Sequence, residues 1–141
     1  MQDLANSLES ALKYRVSQGN FEVSIFTGQG DYSKVNPSLV IHAEGGPESP
    51  LGSGNFNVNV NCELRMTAET QSLPVFRQLA RDVLGMLMAD DLATQLSAEA
   101  TDLCVFGIFD RQFRQSTDEN QWLSALMFTC YCCRTDVEVE T

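Results

Sequence analysis

Histidine is nearly missing from this chain: His42 stands alone. Zinc sites draw on Cys and His at paired spacing, and a single histidine with no second ligand pair does not supply one. Basic residues are scarce too, nine Lys and Arg against nineteen Asp and Glu, for a net charge of −10 and a pI near 4.3. Free-standing nucleic-acid-binding domains carry the opposite sign. The acidity therefore argues against tight phosphate contact and against anionic membrane surfaces, though a repelling wall still lets DNA slide past. No apolar run reaches the roughly 18–20 residues that a membrane helix needs. Met1-Gln2-Asp3 opens no basic-then-apolar leader, so the expectation is a protein made in the cytoplasm with no membrane partner.

Complete nucleotide motifs are lacking as well. Gly28-Gln29-Gly30 begins like a dinucleotide fingerprint, but the third glycine is absent and a strand pattern follows. A phosphate there would lack its helix N-terminus, and a turn is the better reading. The stretch 45–54 holds four glycines and two prolines but no Lys-Ser/Thr ending, which excludes a phosphate-binding loop of the Walker type. His42 and Glu44 share a strand face, yet no nucleophile accompanies them. Asp90, Asp91, Glu99 and Asp102 match no calcium-loop spacing and read as solvated charge. Arg111 and Arg114, flanking Phe113, form a local basic patch whose plain reading is a solvated turn. No catalytic residue, no cofactor and no metal are expected.

Five cysteines are present, Cys62, Cys104, Cys130, Cys132 and Cys133. Cys130 and Cys133 have Cys-x-x-Cys spacing, but a redox pair sits where a strand turns into a helix, and these lie late in an apolar strand. They read as reduced, buried, structural thiols.

What is present is a single domain over 1–141, with 43% apolar and 20% charged residues, enough to bury a core without staples. Residues 3–17 place Leu4, Leu8, Ala11, Leu12 and Val16 on one helical stripe and Asp3, Ser7 and Glu9 on the wet side. Gly19 is a natural stop. Phe21–Thr27 and Ser38–Ala43 read as strands, with a loop over 28–34. The Gly/Pro-rich stretch reads as an exposed loop whose Gly45, Gly46, Pro47, Pro50 and Gly54 are candidate partner contacts. Residues 55–67 alternate strictly: Phe56, Val58, Val60, Cys62, Leu64 and Met66 on one face, with Asn57, Asn59, Asn61, Glu63 and Arg65 on the other. This is the pattern of an antiparallel strand with one wet face. Ser72 and Pro74 open a second helix over 74–89, whose apolar face runs from Val75 and Phe76 through Val83 to Met88. Asp90-Asp91 ends it, with room for a short further turn over 91–98. Residues 103–109 are apolar on both sides and read as a central strand, 110–120 as a polar turn, 122–133 as a last long strand and 135–141 as an acidic tail. The expected class is α+β, a two-layer sandwich in which a mostly antiparallel sheet carries two helices on one face. Phe56, Val58, Val60, Leu64 and Val83 are the expected core.

The last strand carries large side chains on both faces, and in a two-layer domain only one face meets helices. The other is covered either by a second layer of loops or a curling of the sheet, or by a subunit interface, where aromatics and Met are enriched. Trp122, Met127 and Tyr131 are the interface candidates.

This order of elements resembles the tail terminator (tail completion) proteins of long-tailed bacteriophages. The residues that carry the resemblance are the first helix before Phe21-Glu-Val-Ser, the long strand ending Glu63-Leu-Arg-Met-Thr67 ahead of the helix at 74, the strand at 102–109 and the closing Trp122-Leu-Ser-Ala-Leu-Met-Phe-Thr-Cys-Tyr131. It spans nearly the whole chain as a pattern of elements rather than as a motif. It implies a structural virion protein of the neck: a homo-oligomeric, hexameric ring that caps the tail tube, contacts the major tail tube protein and joins it to the head completion or connector protein. DNA would pass through the lumen without specific binding. The alternatives are a head-closure, connector or other neck protein of similar size and, in another class, a small ligand-binding α+β domain.

Overall fold

The computed structural model describes residues 4–28, 37–48, 55–67, 73–100, 103–117 and 121–134. The elements follow in the order α1 (Leu4–Ser17), β1 (Ser24–Thr27), β2 (Ser38–Glu48), β3 (Asn55–Thr67), α2 (Leu73–Met86), α3 (Leu92–Glu99), β4 (Leu103–Thr117) and β5 (Gln121–Arg134). The five strands form one sheet in the order β1-β2-β3-β5-β4. Every pair is antiparallel except β1 with β2. The class is α+β, as expected, with three helices among the described residues rather than two.

The alternating pattern of β3 dictates the layers. Its even-numbered residues Val58, Val60, Cys62, Leu64 and Met66 are buried, and they meet Leu39, Ile41 and Ala43 of β2 on one side and Leu126, Phe128, Cys130 and Cys132 of β5 on the other. Helices α1, α2 and α3 close this face through Leu8, Leu12 and Val16, through Phe76, Ala80, Val83 and Leu84, and through Leu92 and Leu96. All of these join one core cluster. Phe56 is half-buried at its margin, alongside Phe21, Val23 and Ile25. Burying these side chains stabilises the fold by roughly 1.5–3 kcal/mol for each large aliphatic residue, before entropy is subtracted.

Several local expectations are corrected. Helix α1 ends at Ser17, but the residue that turns left-handed is Asn20, with φ of 54°. Gly19 is required for a different reason: a side chain there would collide with the Phe21 ring and Met86 Sδ. Ser7 and Glu9, assigned to the wet side of α1, are buried. The regular strand at Phe21–Thr27 shortens to Ser24–Thr27. Conversely β2 continues through Gly45, Gly46 and Pro47 to Glu48, with a register shift between Gly45 and Glu48. Long β3 offers a partner that far, and the bulge absorbs the residues that fit the ladder poorly. Pro50, Gly54 and the proposed helix cap Ser72 lie outside the described residues.

The largest correction concerns β4. The supposed turn at 110–120 is strand as far as Thr117, and the strand is an edge rather than central. Register shifts at Val105/Gly107 and Phe109/Gln112 let it follow β5 for fifteen residues. Asp110 adopts φ of 56° at the second of these, a left-handed conformation that Asp tolerates better than most residues. The polar composition that read as a turn is that of a solvent-facing edge strand.

Candidate functional site

The helix-free side of the sheet is where a ligand or partner could act. On β3 it presents Asn57, Asn59, Asn61, Glu63 and Arg65; on β5, across the ladder, it presents Tyr131, Thr129, Met127, Ala125 and Leu123. Glu63 is the electrostatic centre. It accepts from Arg65 Nη2 at 2.7 Å and from Asn61 Nδ2 at 3.1 Å. Ala125, which lies between Glu63 and Arg114 in the ladders, is small enough to let those two charges face each other across it. Partial burial pushes the Glu63 carboxyl up, but the hydrogen bonds from Arg65 and Asn61 and the fields of Arg65 and Arg114 outweigh it and hold the group below the ordinary carboxylate range.

An open cleft of about 450 Å³ lies beside this cluster, lined by His42, Glu44, Asn59, Asp110, Gln112 and Met127 among others. Thr129 Oγ1 donates to Asn59 Oδ1 at 3.0 Å on its wall. The carboxylate seen beside His42 comes from another element. Its Nδ1 lies 3.4 Å from Glu9 Oε2, reached around the sheet margin from α1. The same Glu9 oxygen accepts the Ala43 N–H at 2.7 Å. β1 stops pairing at Ile41, so this carboxylate satisfies a β2 donor that β1 no longer covers. A glutamate within an otherwise polar helical face gave no sequence signal of that role; only the packing of α1 on β2 reveals it.

The cysteines divide by face. Cys62, Cys130 and Cys132 are buried, and all five are free. Burial pushes the Cys62 thiol up to about 12, and burial followed by the neighbouring Cys133 and Cys104 does the same for Cys132, also to about 12. Burial raises Cys130 as well. Cys130 and Cys133, three apart on a strand, project to opposite faces and cannot act as a dithiol. Among the described residues no group of three His, Cys, Asp or Glu is placed to hold a metal ion. Asp91 precedes α3 and accepts from Gln95 Nε2 at 2.8 Å, a solvated helix-start contact.

The three interface candidates separate. Trp122 faces the helix layer and packs on Phe76 with ring centroids 5.7 Å apart, so it belongs to the margin of the core. Met127 and Tyr131 lie on the opposite face. Tyr131 meets the Phe109 ring edge-on at 5.7 Å, and that ring covers Gly107, where a Cβ would come within 2.9 Å of it. Of the glycine-rich set, Gly45, Gly46 and Pro47 lie on β2.

The strongest exposed feature lies where a central strand (Phe106 and Phe109) and a turn (Phe113) were expected. Phe106, Phe109 and Phe113 of β4 are each about half exposed, at 56%, 50% and 54%. Phe113 lines a second cleft of about 460 Å³ between β4 and α2, with Leu84, Met88, Arg77 and Arg81. Val75 near the start of α2 and Met88 in the turn after it, both expected on the buried stripe of the helix, are exposed. The first part of β4 is closed by α3: Ser97 Oγ receives the Val105 N–H at 2.8 Å and lies 3.2 Å from the Val105 carbonyl. Among the described residues no such cap covers the edge beyond it.

A scan against protein-family models finds no match, and a search of curated proteins finds no relative. Among the described residues no helix is long and apolar enough to cross a membrane.

Proposed function

We propose that this chain is a structural virion protein of a long-tailed phage, a tail terminator that forms a homo-oligomeric ring on the tail tube and joins it to the head connector. The observation that carries the reading is the placement of its exposed apolar surface. Among the described residues, five of the six exposed large apolar side chains, Val75, Met88, Phe106, Phe109 and Phe113, belong to α2, the turn after it and β4, whereas such residues scattered singly would need no explanation. That concentration suits permanent contact with other subunits. The order of elements, with long β3 ahead of α2 and a closing β4–β5 ribbon, supports the resemblance drawn from the sequence. The acidic balance suits a channel that passes DNA without holding it.

The test is the length distribution of tails assembled without the protein. Tails of variable length that fail to join heads are the expected result. Uniform tails with normal joining overturn the terminator reading and leave a connector or other neck role.

A further inference from the structure

The basic residues of this chain are not evenly spread. Four of its nine, Arg77, Arg81, Arg111 and Arg114, lie on α2 and β4, all of them exposed, in a chain of net charge −10. Gln112 to Thr117 of β4 pairs in unbroken register with β5 on one side, and the sheet ends on the other. A regular, proline-free edge flanked by phenylalanine and arginine is a template for another strand.

We infer that this β4 edge receives the β1–β2 edge of a second copy of the chain, head to tail. The inference rests on the ring reading and names the two surfaces that build it. Charge selects the occupant first. A second copy's own β4 edge would set arginines against arginines, whereas the opposite end of the sheet exposes Glu22 and Glu44. Backbone supply selects it next. β1 pairs with β2 only from Ser38 to Ile41, while β2 runs on to Glu48. Glu9 closes Ala43, and beyond it the outer side of β2 has no strand neighbour among the described residues. Gly45 there has nothing within 4 Å of where a side chain would begin, which leaves room for a ring from β4. Strand direction agrees. β4 is antiparallel to β5, β5 to β3 and β3 to β2, so β4 runs antiparallel to β2 and to β1. A copy added in the same orientation therefore brings antiparallel strands together, the more stable pairing. Sheet twist adds a rotation at each step, and such heterologous contacts close into a ring when the rotations sum to a full turn.

Charge reversal tests this on the full chain. Wild type, Arg111→Glu with Arg114→Glu, Glu22→Arg with Glu44→Arg, and an equimolar mixture of the two variants are compared by sedimentation up to millimolar concentration. Self-association in the wild type, at least a hundredfold weakening in each variant alone and recovery in the mixture are expected, because the mixture restores opposite charges at both contacts. If Arg114→Glu unfolds the chain by facing Glu63, Arg111→Glu with Phe113→Ser carries the same expectation of weakened association. A wild type that stays monomeric overturns the inference, as does association that neither variant disturbs or loss that the mixture does not rescue. Tail length decides the ring reading independently of all three.

Discussion

β3 and β4 are both long strands hydrogen-bonded to β5, one on each side of it, yet they do opposite things. β3 has thirteen residues, and its inward side chains are buried from Val58 to Met66. β4 has fifteen and buries only Leu103 and Val105 as apolar side chains. The difference is not length but what surrounds each strand: β3 has a ladder on both sides and β4 on one, and the helices lie over β3. β3 sits mid-sheet beneath the helices, so each inward residue meets packed atoms. β4 is last in the sheet, α3 caps only its beginning, and its later phenylalanines meet solvent at one side. Stability therefore resides where the helix layer covers the sheet, and the later part of β4 is left exposed.

The comparison breaks hardest at the covered layer. Val83 of α2 is fully buried. Val83→Asp places an unpaired charge in the core at a cost of several kcal/mol, set against a total stability of about 5–15 kcal/mol for a domain of this kind. The variant should show no cooperative thermal transition by circular dichroism; a soluble, cooperative Val83→Asp protein would mean that α2 packs by another face. Next comes the polar anchor of α1. Glu9→Ala leaves the Ala43 N–H buried without its acceptor and should lower stability by about 1–3 kcal/mol in urea unfolding, whereas Glu9→Gln, which keeps an acceptor oxygen, should lose clearly less.

The edge of β4 should respond more mildly. Ser97→Ala removes the hydroxyl that satisfies Val105, and about 1 kcal/mol should be lost, with faster hydrogen exchange confined to the start of β4. The Glu63 cluster supplies a pH signature. Its folded carboxyl is held below its unfolded value, so the associated stability is complete above the unfolded value of about 4.3 and is lost as pH falls through the folded one. Glu63→Gln should therefore flatten that acid limb while leaving the neutral-pH fold intact, and an unchanged limb would assign acid sensitivity elsewhere. Smallest of all, Phe113→Ser should change monomer stability by no more than about 0.5 kcal/mol, because half of the ring is already wet. An effect of the size of Val83→Asp would show that the cleft beside α2 belongs to the core.

The lesson about legibility comes from the same two strands. Residues 55–67 could be read outright, because alternation with period two states which face is buried, and β3 follows it residue by residue. The stripes of α1 and α2 were legible from periodicity too, apart from Val75 near the start of α2, Met88 in the turn after it, and Ser7 and Glu9 on the far side of α1. Residues 110–117 could not be read, because a polar edge strand and a polar turn have the same composition. They differ only in whether a neighbour offers a hydrogen-bonding ladder, and β5 lies beyond the turn in sequence. Glu9 was hidden in the same way: nothing in α1 announces that β1 stops short and leaves the Ala43 donor open. By itself, then, the sequence determined the α+β class, the positions of the long alternating strand and the main helices, and most of the core, since these follow from local periodicity and burial. Only the tertiary structure decided which strand became the exposed edge, how the arginines and phenylalanines gathered on β4 and α2, and which thiols share a face, because strand order is set by contacts between residues far apart in the chain.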